Sequence, residues 1–158
     1  MITIRRFTSE DQKPVTELVA QIMNEEFHDE KAAYPTEDID NIGNAYGALG
    51  EAFFVALSGQ KLIGTVGIKK EDDRIALMRR LFVAAPYRRQ QIGVKLIDKV
   101  FQFCDEVGYK EIVFRTTSRM EGANRICQKC GFTQRAKLQL GPIELFKFSL
   151  SLRNGVKG

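Results

Sequence analysis

The segment Leu77–Ile97, LMRRLFVAAPYRRQQIGVKLI, restricts the possible folds more than any other part of the chain. It is a hydrophobic run ending at Val83, then a short loop containing Pro86, then apolar residues at helical spacing from Gly93 onward. A strand therefore passes into a helix within a few residues. The first turn of any helix leaves N–H groups unpaired and carries partial positive charge. Such a corner is an anion site suited to a phosphate or pyrophosphate. Arg88 and Arg89 add full charges beside it.

The flanking sequence predicts the remaining elements. Ile2 and Ile4 alternate with polar residues as in a short strand. Val15, Leu18, Val19, Ile22 and Phe27 form a helical stripe, with Ser9 or Asp11 as its cap. A short second helix is expected near Asp38–Ile42 inside a polar, acidic connection. Ala52–Leu57 and Lys61–Ile68 read as a hairpin around Ser58-Gly59-Gln60, and Ile75–Val83 as the next strand. Gly93–Val107 is an amphipathic helix ended by Gly108. A strand around Ile112 and Phe114 follows. Ser118 and Glu121 have the spacing of a capping box opening a helix that stops at Gly131. Strands near Thr133–Leu138 and Glu144–Leu152 finish the chain. No repeat or internal boundary is visible, so residues 1–158 read as a single domain.

Charge is unevenly distributed. Residues 1–60 carry 4 basic and 11 acidic side chains, whereas residues 61–158 carry 20 and 9. The two parts should favour partners of opposite sign. No stretch approaches the roughly 18 apolar residues of a membrane span, and Met1–Arg6 lacks the apolar run of a signal peptide. The 3 cysteines, with no secretory cue, point to a reducing cytoplasm rather than a disulfide framework. Cys127 and Cys130 have too few companions for a zinc site, so no metal is expected. Arg79 and Arg80 beside Phe82 leave a nucleic-acid-binding or regulatory module as the non-enzymatic alternative, although no recognition motif accompanies them.

Arg88-Arg89-Gln90-Gln91-Ile92-Gly93 resembles the pyrophosphate signature Arg/Gln-x-x-Gly-x-Gly/Ala of the Gcn5-related N-acetyltransferase (GNAT) superfamily. Gln91 stands where that signature has glycine, and the loop can wrap a pyrophosphate on the condition that Gln91 keeps φ negative. Thr116-Thr117-Ser118-Arg119-Met120 followed by Ala123 through Gly131-Phe132 matches a second family pattern. There the family's tyrosine is replaced by Cys127.

The resemblance implies an α/β (α+β) fold: a mixed, mostly antiparallel sheet of 6–7 strands, splayed between strands 4 and 5, with about four helices. It implies acetyl-CoA as co-substrate and direct attack by an amine. Leu81, Phe82 and Val83 would offer backbone groups to the pantetheine arm, with an N–H at Phe82 for the thioester oxygen. Arg88, Arg89, Gln90, Gln91, Ile92, Gly93 and Val94 would hold the pyrophosphate, with Asn124 and Arg125 lining the slot. Cys127 reads either as the acid that protonates the departing thiolate or as a small apolar helix residue. Glu25, Glu26, His28, Asp29 and Glu30 are the candidate bases. The acidic segment Glu25–Asp40 suggests a small cationic amine as acceptor. Relatives are often dimers, so a homodimer is possible. Nucleic acid and membrane are not expected partners.

Overall fold

The computed structural model describes residues 1–27, 35–153 and 156–157. In chain order the elements are β1 (Ile2–Arg6), α1 (Gln12–Glu26), α2 (Glu37–Asp40), α3 (Ile42–Ala45), β2 (Ala52–Ser58), β3 (Lys61–Lys70), β4 (Ile75–Val83), α4 (Ile92–Val107), β5 (Glu111–Thr117), α5 (Glu121–Lys129), β6 (Thr133–Leu140), β7 (Ile143–Arg153) and β8 (Val156–Lys157). The strands lie in the order β1-β2-β3-β4-β5-β7-β6, and β8 adds to β7. Every pair is antiparallel except β4 with β5. The mixed, mostly antiparallel α/β architecture is the one expected. The acidic connection forms two short helices rather than one, giving five α-helices among the described residues.

Apolar periodicity assigns the helices to opposite faces of the sheet. On one face α1 buries Val15, Leu18, Val19, Ile22 and Met23, in a cluster with Phe53 and Val55 of β2. On the other, α4 buries Leu96, Ile97, Val100 and Cys104 in a cluster with Met78, Ile112 and Phe114. Each fully buried Leu, Ile or Phe contributes roughly 1.5–3 kcal/mol. Gly108, at φ 96°, stops α4 in the left-handed conformation that glycine adopts most easily.

Two of the expected caps differ from what the fold uses. Asp11 lies at the start of α1, but its carboxylate accepts from the Thr8 N–H (2.8 Å) and from both terminal nitrogens of Arg5 (2.7 and 3.0 Å). Thr8, not Ser9, is the N-cap of the 3-10 turn ahead of α1, while Asp11 is the N-cap residue of α1 itself, one of the two expected, without a side-chain bond into that helix. Ser118 does not cap α5, which starts at Glu121 with Met120 as N-cap. The Ser118 hydroxyl instead accepts from the Glu144 N–H on β7 (3.0 Å). Sequence spacing cannot distinguish a hydroxyl serving its own helix from one serving a neighbouring strand.

Candidate active site

β4 pairs with β5 only from Ile75 to Met78. Beyond Met78 the two strands part, as expected for a sheet splayed at this point, and β4 runs on to Val83 with its other edge on β3. Arg80 lies at a break in the β3–β4 register and adopts φ 56°. Such a bulge bends a strand and re-aims its side chains.

After Val83 a 3-10 turn, Ala85–Tyr87, carries the chain toward α4. Arg89 and Gln91 both adopt positive φ, 66° and 65°. This corrects the condition that Gln91 keep φ negative. The chain reaches α4 through the 3-10 turn and an extended Arg88, and Gln91 holds the helix N-cap in the left-handed conformation. A left-handed non-glycine residue costs roughly 1–2 kcal/mol. The Gln91 side chain, for its part, accepts from Lys129 Nζ of α5 (3.3 Å).

The corner opens into a cleft of about 520 Å³. One wall is Leu81–Val83 with Arg88, Arg89 and Gln91–Val94; the other is Gly122, Ala123, Arg125, Ile126 and Lys129 of α5. Gly93 allows the two helices to approach, since a β-carbon there would lie 2.7 Å from Ile126 Cδ1. Arg88 donates from both terminal nitrogens to Glu26 (2.8 Å each) and from Nε to the Val83 carbonyl (2.9 Å). Five cations, Arg119 among them, against the two carboxylates Glu26 and Glu121, thus face one space with the first-turn amides of α4, which suits a polyanion.

Two of the residues expected there lie elsewhere. Gln90 is exposed and does not line the cleft. Asn124 accepts from the Thr116 hydroxyl (2.5 Å) and donates to the Thr117 carbonyl (3.0 Å), tying α5 to β5. Its neighbour Arg125 does line the cleft. Cys127 has 0 % of its surface exposed, belongs to the core cluster around α4, and lines neither cleft. Burial pushes its thiol up to about 12, with Cys130 adding to the rise. That makes it a poorer acid than an ordinary thiol near 8.5.

A second cleft, of about 610 Å³, lies where β4 and β5 part. It shares Phe27, Leu81, Phe82 and Met120 with the first, so the two meet at the end of β4. Its lining comes from α1, β4, β5, β6 and β7. Beside it sits a polar cluster that sequence reading missed. Asp38 of α2 accepts from Arg80 Nε (3.0 Å), from an Arg80 terminal nitrogen (2.5 Å) and from the Tyr46 hydroxyl (2.6 Å). Arg80 also donates to the Pro35 carbonyl. Burial pushes the Asp38 carboxyl up, but the hydrogen bonds from Arg80 and Tyr46 outweigh it and hold the group below the usual range. The same burial and the contact with Asp38 push the Tyr46 phenol up.

The two candidate bases among the described residues are engaged. Glu26 pairs with Arg88, and Glu25 accepts from Gln21 (3.3 Å). His28, Asp29 and Glu30 lie outside the described residues. Among the described residues, no group of three or more His, Cys, Asp or Glu could hold a metal ion. No helix there is long and apolar enough to cross a membrane.

Comparison with known proteins agrees with this geometry. The model of the acetyltransferase (GNAT) family matches residues 16–132. Human N-acetyltransferase 8 is 31% identical over 126 residues, covering 77% of this chain and 51% of its own length. Human N-acetyltransferase 8B is 34% identical over 101 residues, covering 60% and 44%. The chain thus spans about half the length of the curated relatives it matches. Among solved structures, a GNAT-family acetyltransferase from Staphylococcus aureus superposes with a TM-score of 0.82 at 24% identity, covering 94% of this chain and 98% of that one. A Salmonella typhimurium protein solved with its cofactor acetyl-CoA gives 0.79 at 20% identity, covering 96% and 94%.

Proposed function

The chain belongs to the acetyltransferase (GNAT) family, and from that premise we propose that it moves the acetyl group of acetyl-CoA to a primary amine by direct attack within a ternary complex. The observation that carries this reading is the meeting of two clefts at the end of β4. One is amide-rich and cationic, the other is formed by the parting of β4 and β5. A thioester placed at the junction is within reach of a nucleophile from the second cleft.

In this reading the diphosphate rests on the first-turn amides of α4, near Gly93 and Val94, with Arg88 and Arg89 supplying charge. The edge of β4 from Leu81 to Val83 pairs with the pantetheine arm. Because the β3–β4 register turns the expected Phe82 N–H toward Thr65, the reading assigns polarisation of the thioester oxygen to the adjacent Val83 N–H on the other edge of β4. A C–N bond forms, the C–S bond breaks, the amine gives up a proton, and CoA leaves as thiolate. Cys127 takes no part, and solvent protonates the thiolate.

The described part of the acidic segment lends no support to a cationic acceptor. Of its described carboxylates, Glu26 and Asp38 are engaged by arginines, and neither Glu25, Glu37 nor Asp40 lines the second cleft. With Cys104, Cys127 and Cys130 all free, the reading places the protein in the cytoplasm. β6 ends the sheet and is exposed along its whole length, which makes it the edge that a homodimer would use.

Thermal unfolding with acetyl-CoA and with desulfo-CoA tests the first half of the proposal. Both should stabilise the protein, by about 2.7 kcal/mol at a hundred times Kd. Thiol release across a panel of amines tests the second half. No stabilisation by either ligand would defeat the proposal, as would thiol release that is independent of every amine.

A further inference from the structure

We propose that the second cleft selects an amine bearing a carboxylate, an apolar α-amino acid, rather than a polyamine or other cationic acceptor. The inference rests on the transferase reading and adds the class of acceptor. Arg79, Arg80, Arg115, Lys137 and Lys147 all line this cleft. Among the described residues not one Asp or Glu does.

Three of these five charges have a carboxylate partner. Asp38 neutralises Arg80, Glu144 lies 3.7 Å from Lys137, and Glu71 lies 4.0 Å from the largely exposed Arg115. Arg79 and Lys147 remain. Both are half-buried, and neither has a carboxylate within ion-pair distance among the described residues. Arg79 acts on Asp38 only through space, because the Asp38 oxygens are engaged by Arg80 and Tyr46.

Register places these charges together. Leu77 pairs with Val113, and Arg115 pairs with Lys147. Side chains two residues apart on a strand share a face. Leu77 and Arg79, Val113 and Arg115, and Leu145 and Lys147 therefore lie on one side of the sheet. On this face Leu77 and Val113 lie to one side of the cations and Leu145 to the other. A half-buried cation without a counterion favours an anionic ligand group and repels a cationic one. These apolar residues and Phe27 leave room for an uncharged side chain, while the amine faces the junction with the cofactor cleft.

The test uses the whole protein with acetyl-CoA and reads thiol release. The acceptors are the common α-amino acids, their decarboxylated counterparts (phenethylamine for phenylalanine) and spermidine. At least one apolar α-amino acid should exceed its decarboxylated counterpart at least tenfold in kcat/KM, and spermidine should be poorer still. Lys147→Met should shrink that ratio roughly tenfold, through KM, and Lys147→Glu should invert it. Stabilisation by acetyl-CoA in each variant confirms that it is folded; Arg79→Gln replaces any variant that is not. No turnover of any α-amino acid, parity with the decarboxylated amines, or a ratio unmoved by the substitutions overturns the inference. If the unaltered protein is not stabilised by acetyl-CoA, the transferase reading itself falls and takes this inference with it.

Discussion

The two clefts that meet at Phe82 are built in opposite ways. The cofactor corner comes mostly from one continuous stretch, Leu81–Val94, with α5 as its far wall. The acceptor cleft draws on α1, β4, β5, β6 and β7, from Met23 to Lys147. The first depends on backbone: amide groups at a helix start and two left-handed residues before it. The second depends on side chains brought together by the order β4-β5-β7-β6. An anion site made of backbone can be encoded locally, while a site made of side chains exists only once the sheet has assembled. Damage to the two regions should therefore separate into lost stability on one side and lost cofactor affinity on the other.

The largest effect should come from Asp38 on the acceptor side. The side chains of Asp38 and Arg80 are only 11% and 7% exposed. Asp38→Ala leaves a nearly buried guanidinium unpaired, which costs about 3 kcal/mol. Urea unfolding should show that loss, while Kd for acetyl-CoA in the folded variant stays within about threefold, well under the factor of ten that ~1.4 kcal/mol represents. A loss below about 1 kcal/mol would mean the pair behaves as an ordinary surface ion pair. The pH dependence should point the same way. The Asp38 carboxyl is held below its ordinary value, so its stabilisation is present above about pH 4 and is lost as pH falls through the lowered folded value. Asp11, lowered mainly by its hydrogen bond from Arg5, adds a loss of the same sign. Asp38→Asn should make the acid limb of the stability profile shallower, and an unchanged limb would contradict the assignment.

Arg88 should give the reverse result. Its pair with Glu26 is partly exposed and adds little to stability. Removing a charge-assisted bond to a phosphate costs roughly 1.5–3 kcal/mol. Arg88→Met should thus weaken acetyl-CoA binding by roughly tenfold to a hundredfold with unfolding nearly unchanged. If stability and affinity fell together here, the contrast between the two clefts would fail.

Most of the first cleft, and little of the second, could be read from the sequence. The strand, loop and helix of Leu77–Ile97 are local, so periodicity and punctuation fix them. The details that depend on neighbours were not legible. Asn124 and Arg125 are adjacent on α5, and only the position of β5 decides that Asn124 faces Thr116 and Thr117 while Arg125 faces the cleft. Cys127 occupies the family's tyrosine position, but the packing of α5 seals it into the core. The grouping of Arg79 with Lys147 needs the pairing of β5 with β7, which joins residues more than thirty positions apart. The net charge of the acidic segment is visible in the sequence, whereas the arginine partners of Glu26 and Asp38 are not.

A smaller effect sharpens the account of the corner. Gln91→Gly relieves a left-handed glutamine at φ 65° and should stabilise the protein by about 1 kcal/mol, less what glycine adds to the entropy of the unfolded chain. Thermal unfolding checks it. A destabilised variant would mean that the contact from Lys129 to the Gln91 side chain outweighs the strain.

The most direct test of the diphosphate site is calorimetric titration of the protein with CoA and, separately, with pantetheine, which keeps the arm but lacks the diphosphate and nucleotide. CoA should bind at least a hundredfold more tightly, and Arg88→Met should remove much of that difference. Equal affinity for the two compounds, or no heat with CoA, would contradict the claim that the start of α4 was built to hold a diphosphate.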